Sequence, residues 1–242
     1  MTHSKTNLVL SKDQSWQMFN AISSRYDFLN HLLSFGLDIV WRKKLTQFAP
    51  VRPQLKLLDL ATGTADIILS FFKHDKNIVS AVGIDLAEKM LQLGQAKIEE
   101  AQLSDKVKLQ IGNAANLQFP SESFDLITMS FGIRNTTSTA QVFNEIYRVL
   151  NKEGRVLILE FSMPRNLIFR GMHLFYLRYF VPAIGFIFSG HYKAYKYLNQ
   201  TIETFPYGQE FCQLIEKAGF KNVSAHELLF GVATIYQGDK PG

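Results

Sequence analysis

Cysteine is nearly missing from this chain of 242 residues. Its one copy, Cys212, can close no internal disulfide and cannot by itself build a thiolate metal site. The sequence therefore fits a reducing compartment, with a buried, inert thiol and no metal. Residues Met1 to Lys12 lack the apolar core of about 7 to 15 residues that a secretory signal needs, which points to the cytosol. No linker, internal repeat or low-complexity tract interrupts the chain. Charged residues make up only 19% and phenylalanine is abundant at 20, which excludes a disordered protein. Acidic charge is absent between Glu160 and Glu203, where Arg165, Arg170, Arg178, Lys193 and Lys196 fall among Phe, Tyr, Leu and Ile. A solvated basic face over a local core is the plain explanation, and a surface for anionic lipid or nucleic acid the functional one. The longest charge-free run there, Tyr179 to Gly190, is well short of the about 20 residues a spanning helix requires. Arg170, His173 and Arg178 also stand where such a helix would avoid them, so an interfacial helix or the wall of an apolar pocket is expected instead.

What is present is a 47% hydrophobic composition, enough for one substantial core. A single domain over residues 1–242 is expected, with a helical arm or lid at 1–50 and an apolar, basic insertion at 164–204. Between Lys56 and Phe161 short apolar runs alternate with helical patterns, the mark of a parallel sheet covered on both faces. The strands are expected at Lys56 to Ala61, Ile78 to Asp85, Val107 to Gly112, Phe124 to Ser130 and Arg155 to Phe161. Helical spacing runs through Ala87 to Leu103, with Met90, Leu91 and Ile98, and through Thr139 to Leu150, with Val142, Phe143, Ile146 and Val149. The fold class is thus α/β, a doubly wound, Rossmann-like sheet. A further helix should stop at Gly219, and the alternating tail from Val223 to Tyr236, broken at Gly231, should add an antiparallel pair. Ahead of the sheet, Trp16, Phe19, Ile22, Tyr26, Leu29 and Leu33 recur at steps of three to four residues, giving an amphipathic helix.

The first strand ends in Asp59-Leu60-Ala61-Thr62-Gly63-Thr64-Ala65-Asp66, the turn where such sheets bind nucleotide-like ligands. A dinucleotide fold wants three glycines there to admit a pyrophosphate; this turn has Gly63 alone, and the preceding Asp59 would repel phosphate. A ligand with an ammonium and a sulfonium and no phosphate, S-adenosylmethionine, suits it better than a nicotinamide cofactor. Asp85, about twenty residues beyond the turn, can accept both ribose hydroxyls, although a helix cap is the plainer role. Gly112-Asn113 is an ordinary turn or a reader of the adenine edge. Arg134 and Asn135 follow the fourth strand, at the carboxyl edge where substrate belongs, unless Arg134 merely pairs with a nearby acid.

Arg25-Tyr26-Asp27, Leu33-Ser34-Phe35-Gly36, Trp41, Asp59 to Asp66, Asp85 to Met90, Asn113-Ala114, Phe119-Pro120, Phe124-Asp125, Tyr147-Arg148-Val149-Leu150, Gly154-Arg155, Glu160-Phe161-Ser162 and Pro164 accompany a more specific run, Ser130-Phe131-Gly132-Ile133-Arg134-Asn135. Over nearly its whole length the chain resembles the quinone-pathway C-methyltransferases, which make menaquinone from demethylmenaquinone or act on the matching ubiquinone precursor. The resemblance implies a class I methyltransferase using S-adenosylmethionine, with Thr64, Asp85, Asn113, Ala114 and Ser130 at the cofactor alongside Asp59 and Gly63. The family often has glycine at positions 62 and 65, where Thr62 and Ala65 stand here. The segment Leu167 to Gly190 matches only loosely, so a prenyl-tail pocket and a peripheral contact with anionic membrane rest on composition.

Chemically, a quinol ring carbon becomes nucleophilic when a neighbouring hydroxyl loses its proton. Arg134 could then stabilise the phenolate and Asn135 orient it. Since arginine is effectively always protonated, the base is expected among Tyr26, Asp27, His31 or a water between them, with Tyr26 and Asp27 preferred by resemblance. Demethylmenaquinol is the expected substrate; a ubiquinone precursor, another small molecule, or RNA are the alternatives. RNA is disfavoured because, despite a pI near 9.2, no separate nucleic-acid module is present. The sequence leaves a homo-oligomer open.

Overall fold

The computed structural model describes residues 12–74, 77–189 and 192–242. The polar N-terminus before Lys12 lies outside them, as do the side chains of Lys193 and Lys196. Seven strands form one sheet: β1 (Leu55–Leu60), β2 (Ile78–Asp85), β3 (Val107–Ile111), β4 (Phe124–Ser130), β5 (Leu150–Phe161), β6 (Lys221–Leu228) and β7 (Ala233–Asp239). Their order is β3-β2-β1-β4-β5-β7-β6, parallel from β3 to β5, with β7 antiparallel to both its neighbours. The expected doubly wound sheet with a C-terminal antiparallel pair is thus observed. β2 and β4 have the expected bounds. β5 begins at Leu150 rather than Arg155, because Leu150 pairs with Phe124 across a register shift and the polar Asn151-Lys152-Glu153 stretch continues the strand.

Burial explains why β1 carries almost no polar alternation: helices cover both of its faces. On one face Leu58, Leu60, Ile127 and Met129 meet α5 (Thr139–Val149) through Val142, Phe143 and Ile146, and α9 (Gln209–Lys217) through Phe211 and Ile215. On the other, Leu57, Leu157 and Leu159 meet α2 (Leu37–Thr46) through Trp41 and Leu45, and α3 (Asp66–His74) through Ile67, Ile68 and Phe71. The amphipathic arm is α1 (Ser15–Leu33), followed by a turn in which Phe35 and Gly36 take φ of +53° and +74° before α2.

A second helical group, α6 (Leu167–Phe175), a π turn at Tyr176–Phe180, and α7 (Val181–Ser189), is followed by α8 (Tyr192–Thr204). Asn166 caps α6 by accepting the N–H groups of Ile168 and Phe169. The π turn has a cause: Pro182 has no N–H, and its ring would collide with the carbonyl of Arg178, so the helix widens there. The run Leu167–Phe188 is long and apolar enough by composition to span a bilayer. One side of it is nevertheless held by the domain, since Leu177 and Val181 cluster with Leu29, Met163 and Ile202.

Candidate active site

Two adjoining cavities open at the carboxyl edge of β1, β2 and β4. Gly63, Asp85, Leu86, Met90, Asn113, Ala114 and Ser130 line the first, and α1 covers it with Trp16, Phe19 and Tyr26. In the β1 turn, Ala61, Gly63 and Ala65 have φ of +51°, +55° and +64°. The left-handed backbone at Ala65 gives a physical reason for glycine at that position, while Gly63 faces the cavity with only Met90 Cε near the place a Cβ would take. Asp85 accepts the Gly63 N–H at 2.9 Å and the Ala87 N–H at 2.8 Å. Burial pushes its carboxyl up, against the pull of those backbone donors. It does not cap α4, whose N-cap is Ala87; it faces the cavity, with lone pairs beyond those backbone N–H groups open to a ligand. Ser130 Oγ is buried here without a partner. A carboxylate, an orphaned hydroxyl, an apolar shelf of Leu86 and Met90, and a backbone without a phosphate cradle fit a cationic nucleoside, as S-adenosylmethionine is.

Asp59 and Thr64 do not join this wall. Asp59 is 1% exposed and accepts the Thr128 hydroxyl at 2.6 Å from behind the turn. Burial pushes its carboxyl up to about 7, so it is not the fixed anion facing a cation that the sequence suggested. Thr64 points into a network with Asp27 and Lys97. The Lys97 ammonium holds Asp27 and Asp66 at 2.6 Å each and Thr64 Oγ1 at 3.0 Å, and Thr64 in turn donates to Asp27 at 2.8 Å. From Asp66 the chain of ion pairs continues through Arg42 to Asp38, and His31 Nδ1 bonds Asp38 at 2.7 Å. Asp27 and His31 therefore fasten the arm to α2, α3 and α4 (Glu88–Glu100), and neither lines either of these two cavities. Asn20 strengthens the same clasp by accepting the Lys89 N–H in the first turn of α4, which has no side-chain cap of its own.

The second cavity is largely apolar, walled by Met18, Ile22, Leu29, Trp41, Phe161, Leu177 and Val181, with Arg134, Asp38, His173 and Tyr197 among its few polar groups. Phe19, Tyr26, Phe131 and Asn135 line both cavities and so stand at their junction. Phe131 adopts φ +56°, a costly conformation for a bulky residue. Its ring lies 4.5 Å from that of Phe161 and 6.2 Å from that of Trp41. Its carbonyl accepts Arg134 Nη1 at 2.7 Å. Arg134, 3% exposed, meets Glu160, 1% exposed, at 2.5 Å. The nearby acid that a buried arginine wants is present, and Arg134 still lines the cavity. Burial pushes the Tyr26 hydroxyl up, which keeps it a neutral donor.

Sequence reasoning did not assign Glu160, Asp38, Lys97, His173 or Tyr197 to the site. His173 carried the one readable signal, a polar ring inside the most apolar stretch.

Around the mouth of the second cavity lies an apolar face. Leu167 is 80% and Phe35 78% exposed, with Ile168, Met172, Phe175, Tyr179, Phe180 and Phe230 also exposed. Ring contacts join it: Phe169 stacks on Phe230 at 4.7 Å, Phe35 approaches Tyr176 at 6.0 Å, and Phe28 approaches Phe188 at 5.7 Å. Its charge is lower than the sequence suggests, because Arg165 pairs with Glu227 at 2.8 Å and Arg178 with Glu203 at 2.6 Å.

Comparison with known proteins agrees with this geometry. The ubiE/COQ5 methyltransferase family model matches residues 7–240. The chain is 40% identical to the ubiquinone/menaquinone biosynthesis C-methyltransferase UbiE of Geotalea daltonii, over 93% of this chain and 95% of that protein. It is 37% identical to the demethylmenaquinone methyltransferase of Bacillus cereus, over 93% and 94%. Among solved structures, Haemonchus contortus phosphoethanolamine N-methyltransferase 2, in complex with S-adenosylhomocysteine, superposes with a TM-score of 0.68 at 13% identity, covering 97% of this chain and 61% of that one. A SAM-dependent methyltransferase from Thermotoga maritima gives 0.63 at 18% identity, covering 93% and 99%. These structures share the fold.

Proposed function

The chain belongs to the ubiE/COQ5 methyltransferase family, and from that premise we propose that it methylates demethylmenaquinol to menaquinol, working at the surface of a membrane. Methylation of carbon with S-adenosylmethionine in quinone biosynthesis is the activity of the family. The naphthoquinol rests on overall sequence likeness; the ubiquinone precursor is the second reading, since relatives named for both quinones match as fully as those named for demethylmenaquinone. The observation that carries the substrate class is the pair of cavities, one polar enough for a nucleoside and one apolar enough for a prenylated ring, meeting at Tyr26 and Asn135.

S-adenosylmethionine supplies an electrophilic methyl group on a sulfonium. Gly63, Asp85, Asn113, Ala114 and Ser130 hold it, with Asp85 accepting the ribose hydroxyls; Asp59 and Thr64 act from behind by shaping the turn. Phe131 and Asn135 keep the two ligands in register, and such positioning alone supplies about 7 to 11 kcal/mol in favourable cases. Arg134, its charge balanced by Glu160, offers a fixed dipole to a developing phenolate. Reduced substrate is required, because an oxidised quinone has no hydroxyl to ionise. Asp27 is not the base in this scheme, as Lys97 holds its carboxylate.

The apolar face around the second cavity lets a prenyl tail pass from bilayer to pocket without crossing water. Because Arg165 and Arg178 are already paired, apolar area contributes more to that contact than charge does. The location that follows is cytoplasmic and peripheral, at the inner face of the membrane. Side-by-side turnover of a demethylated naphthoquinol and a demethylated ubiquinol precursor tests the substrate: at least tenfold higher kcat/KM for the naphthoquinol is expected, and the reverse preference would move the chain to the ubiquinone pathway.

A further inference from the structure

The quinol reading leaves a proton unaccounted for. A hydroxyl must lose one for the ring carbon to attack, and the groups expected to take it are committed elsewhere. Asp27 and His31 are bound into the ion-pair network and line neither cavity. Asp38 lines the second cavity, but its carboxylate already accepts from Arg42, His31 and Ser34. Tyr26 is held in its protonated form by burial.

Among the described groups of that cavity, the His173 imidazole is left. Resting on the quinol reading, we propose that His173 is the general base, its Nε2 taking the hydroxyl proton while Tyr197 and Arg134 hydrogen-bond the oxygens of the ring. His173 lines the apolar cavity from α6, and its Nε2 is buried with no hydrogen-bond partner. Two further atoms of residues lining the same cavity share that condition, Tyr197 Oη from α8 and Arg134 Nε from the β4 loop. An unmade hydrogen bond in a buried place costs about 1 to 3 kcal/mol, so three orphaned polar atoms around one apolar cavity mark a ligand that brings their partners with it. A hydroquinone has that chemistry: a flat apolar ring with two opposed oxygens, each able to donate and accept. Burial lowers the pKa of His173, which leaves the imidazole neutral and its lone pair available at neutral pH.

The charged and titratable groups sharing its cavity are Tyr26 of α1, Asp38 and Arg42 of α2, Arg134 of the β4 loop with its partner Glu160, Tyr176 of the π turn and Tyr197 of α8. In the step itself, the hydroxyl proton moves to Nε2 and the ring carbon forms its bond to the methyl group as the carbon–sulfur bond breaks, its electron pair staying on sulfur. The hydrogen on the methylated carbon then leaves to water as the ring regains aromaticity, and the oxygen recovers its proton from the imidazolium. Each turnover releases one proton.

The test compares wild type with His173→Gln between pH 5 and 9, on a demethylated naphthoquinol and on a ring-fluorinated analogue whose hydroxyl is more acidic. The expected wild-type kcat/KM rises with pH along a limb centred below about 6.5, the ordinary value for imidazole. The variant should lose that limb and about 10² to 10⁴ in kcat. Its S-adenosylmethionine affinity should be unchanged, and the fluorinated quinol should recover at least tenfold of the loss, a rescue that a structural role would not give. A variant within threefold of wild-type kcat, or one keeping the same acid limb, overturns the proposal and leaves the quinol substrate standing. No transfer by wild type to any quinol instead overturns the substrate reading. If His173→Gln fails to fold, wild type decides through ¹⁵N-histidine resonances: the His173 Nε2 signal must shift when the methylated quinol product binds, and an unmoved signal overturns the assignment.

Discussion

Replacing Glu160 with alanine strands the Arg134 guanidinium in a place that water barely reaches. Both partners are almost fully buried, 3% and 1% exposed, and 2.5 Å apart. The carbonyl of Phe131 would remain as a neutral acceptor, and the ring of Phe161, 5.3 Å from the guanidinium carbon, offers only its π face. Removing one member of a buried pair costs about 3 to 5 kcal/mol, because the other charge loses its compensation. That is a large share of the roughly 5 to 15 kcal/mol that holds a domain folded. At about 2 to 4 °C per kcal/mol for a chain of this size, Tm should fall by roughly 6 to 20 °C. Glu160→Gln, which keeps an acceptor for Nη1, should fall less. The double variant Arg134→Met with Glu160→Leu should recover most of the loss, since a well-packed apolar pair is about as stable as a buried ionic one. Thermal unfolding followed by far-UV circular dichroism measures all of these, and the single variants Arg134→Met and Glu160→Leu complete a double-mutant cycle. A Glu160→Ala midpoint within about 2 °C of wild type, or a double variant less stable than either single, would refute the account of the pair.

Other consequences follow from the same geometry. Arg134→Ala combined with Glu160→Gln should bind S-adenosylmethionine normally in calorimetry and lose about 10² to 10³ in kcat, the magnitude of an oxyanion-type contact; full turnover would dismiss that role. Asp59, pushed from about 3.8 to about 7, binds its proton more tightly folded than unfolded, so it lowers stability as pH rises from about 4 to 7. Asp59→Asn should flatten that part of the wild-type curve of Tm against pH, and an unchanged slope would contradict the burial argument. Lys97→Met should speed amide exchange along α1 while leaving α5 unaffected, because the salt network holds the arm and not the sheet. Leu167→Asp with Ile168→Asp should abolish sedimentation with anionic vesicles, and wild-type binding should change less than threefold between 0.05 and 0.3 M salt if apolar area dominates, values set by the screening range of exposed charge.

Much of this architecture is written in local pattern. Val82-Gly83-Ile84-Asp85 and Phe124 to Ser130 are apolar runs closed by a polar residue, and they became strands with the expected bounds. The arm was legible from the spacing of Trp16, Phe19, Ile22 and Tyr26. β5 was misjudged at its start because strand pairing with Phe124 overrides the polar composition of Asn151 to Glu153. Gly63, Asp85, Asn113, Ala114 and Ser130 come together around the first cavity because one turn or strand end fixes the place of each. Asp59, on β1, and Thr64, in the turn after it, send their side chains away from the cavity to Thr128 and Lys97, and no one-dimensional pattern shows that. The partners of Asp27 and the place of His173 depend on helices far apart in sequence closing over one pocket.

Methyl transfer from labelled S-adenosylmethionine to a demethylmenaquinol analogue in detergent, with the oxidised quinone run in parallel, tests the central claim most directly. The account predicts label on a ring carbon of the quinol, located by mass and carbon NMR of the product, and none on the quinone. Tight cofactor binding with no transfer to any quinol, or label on oxygen, would contradict it.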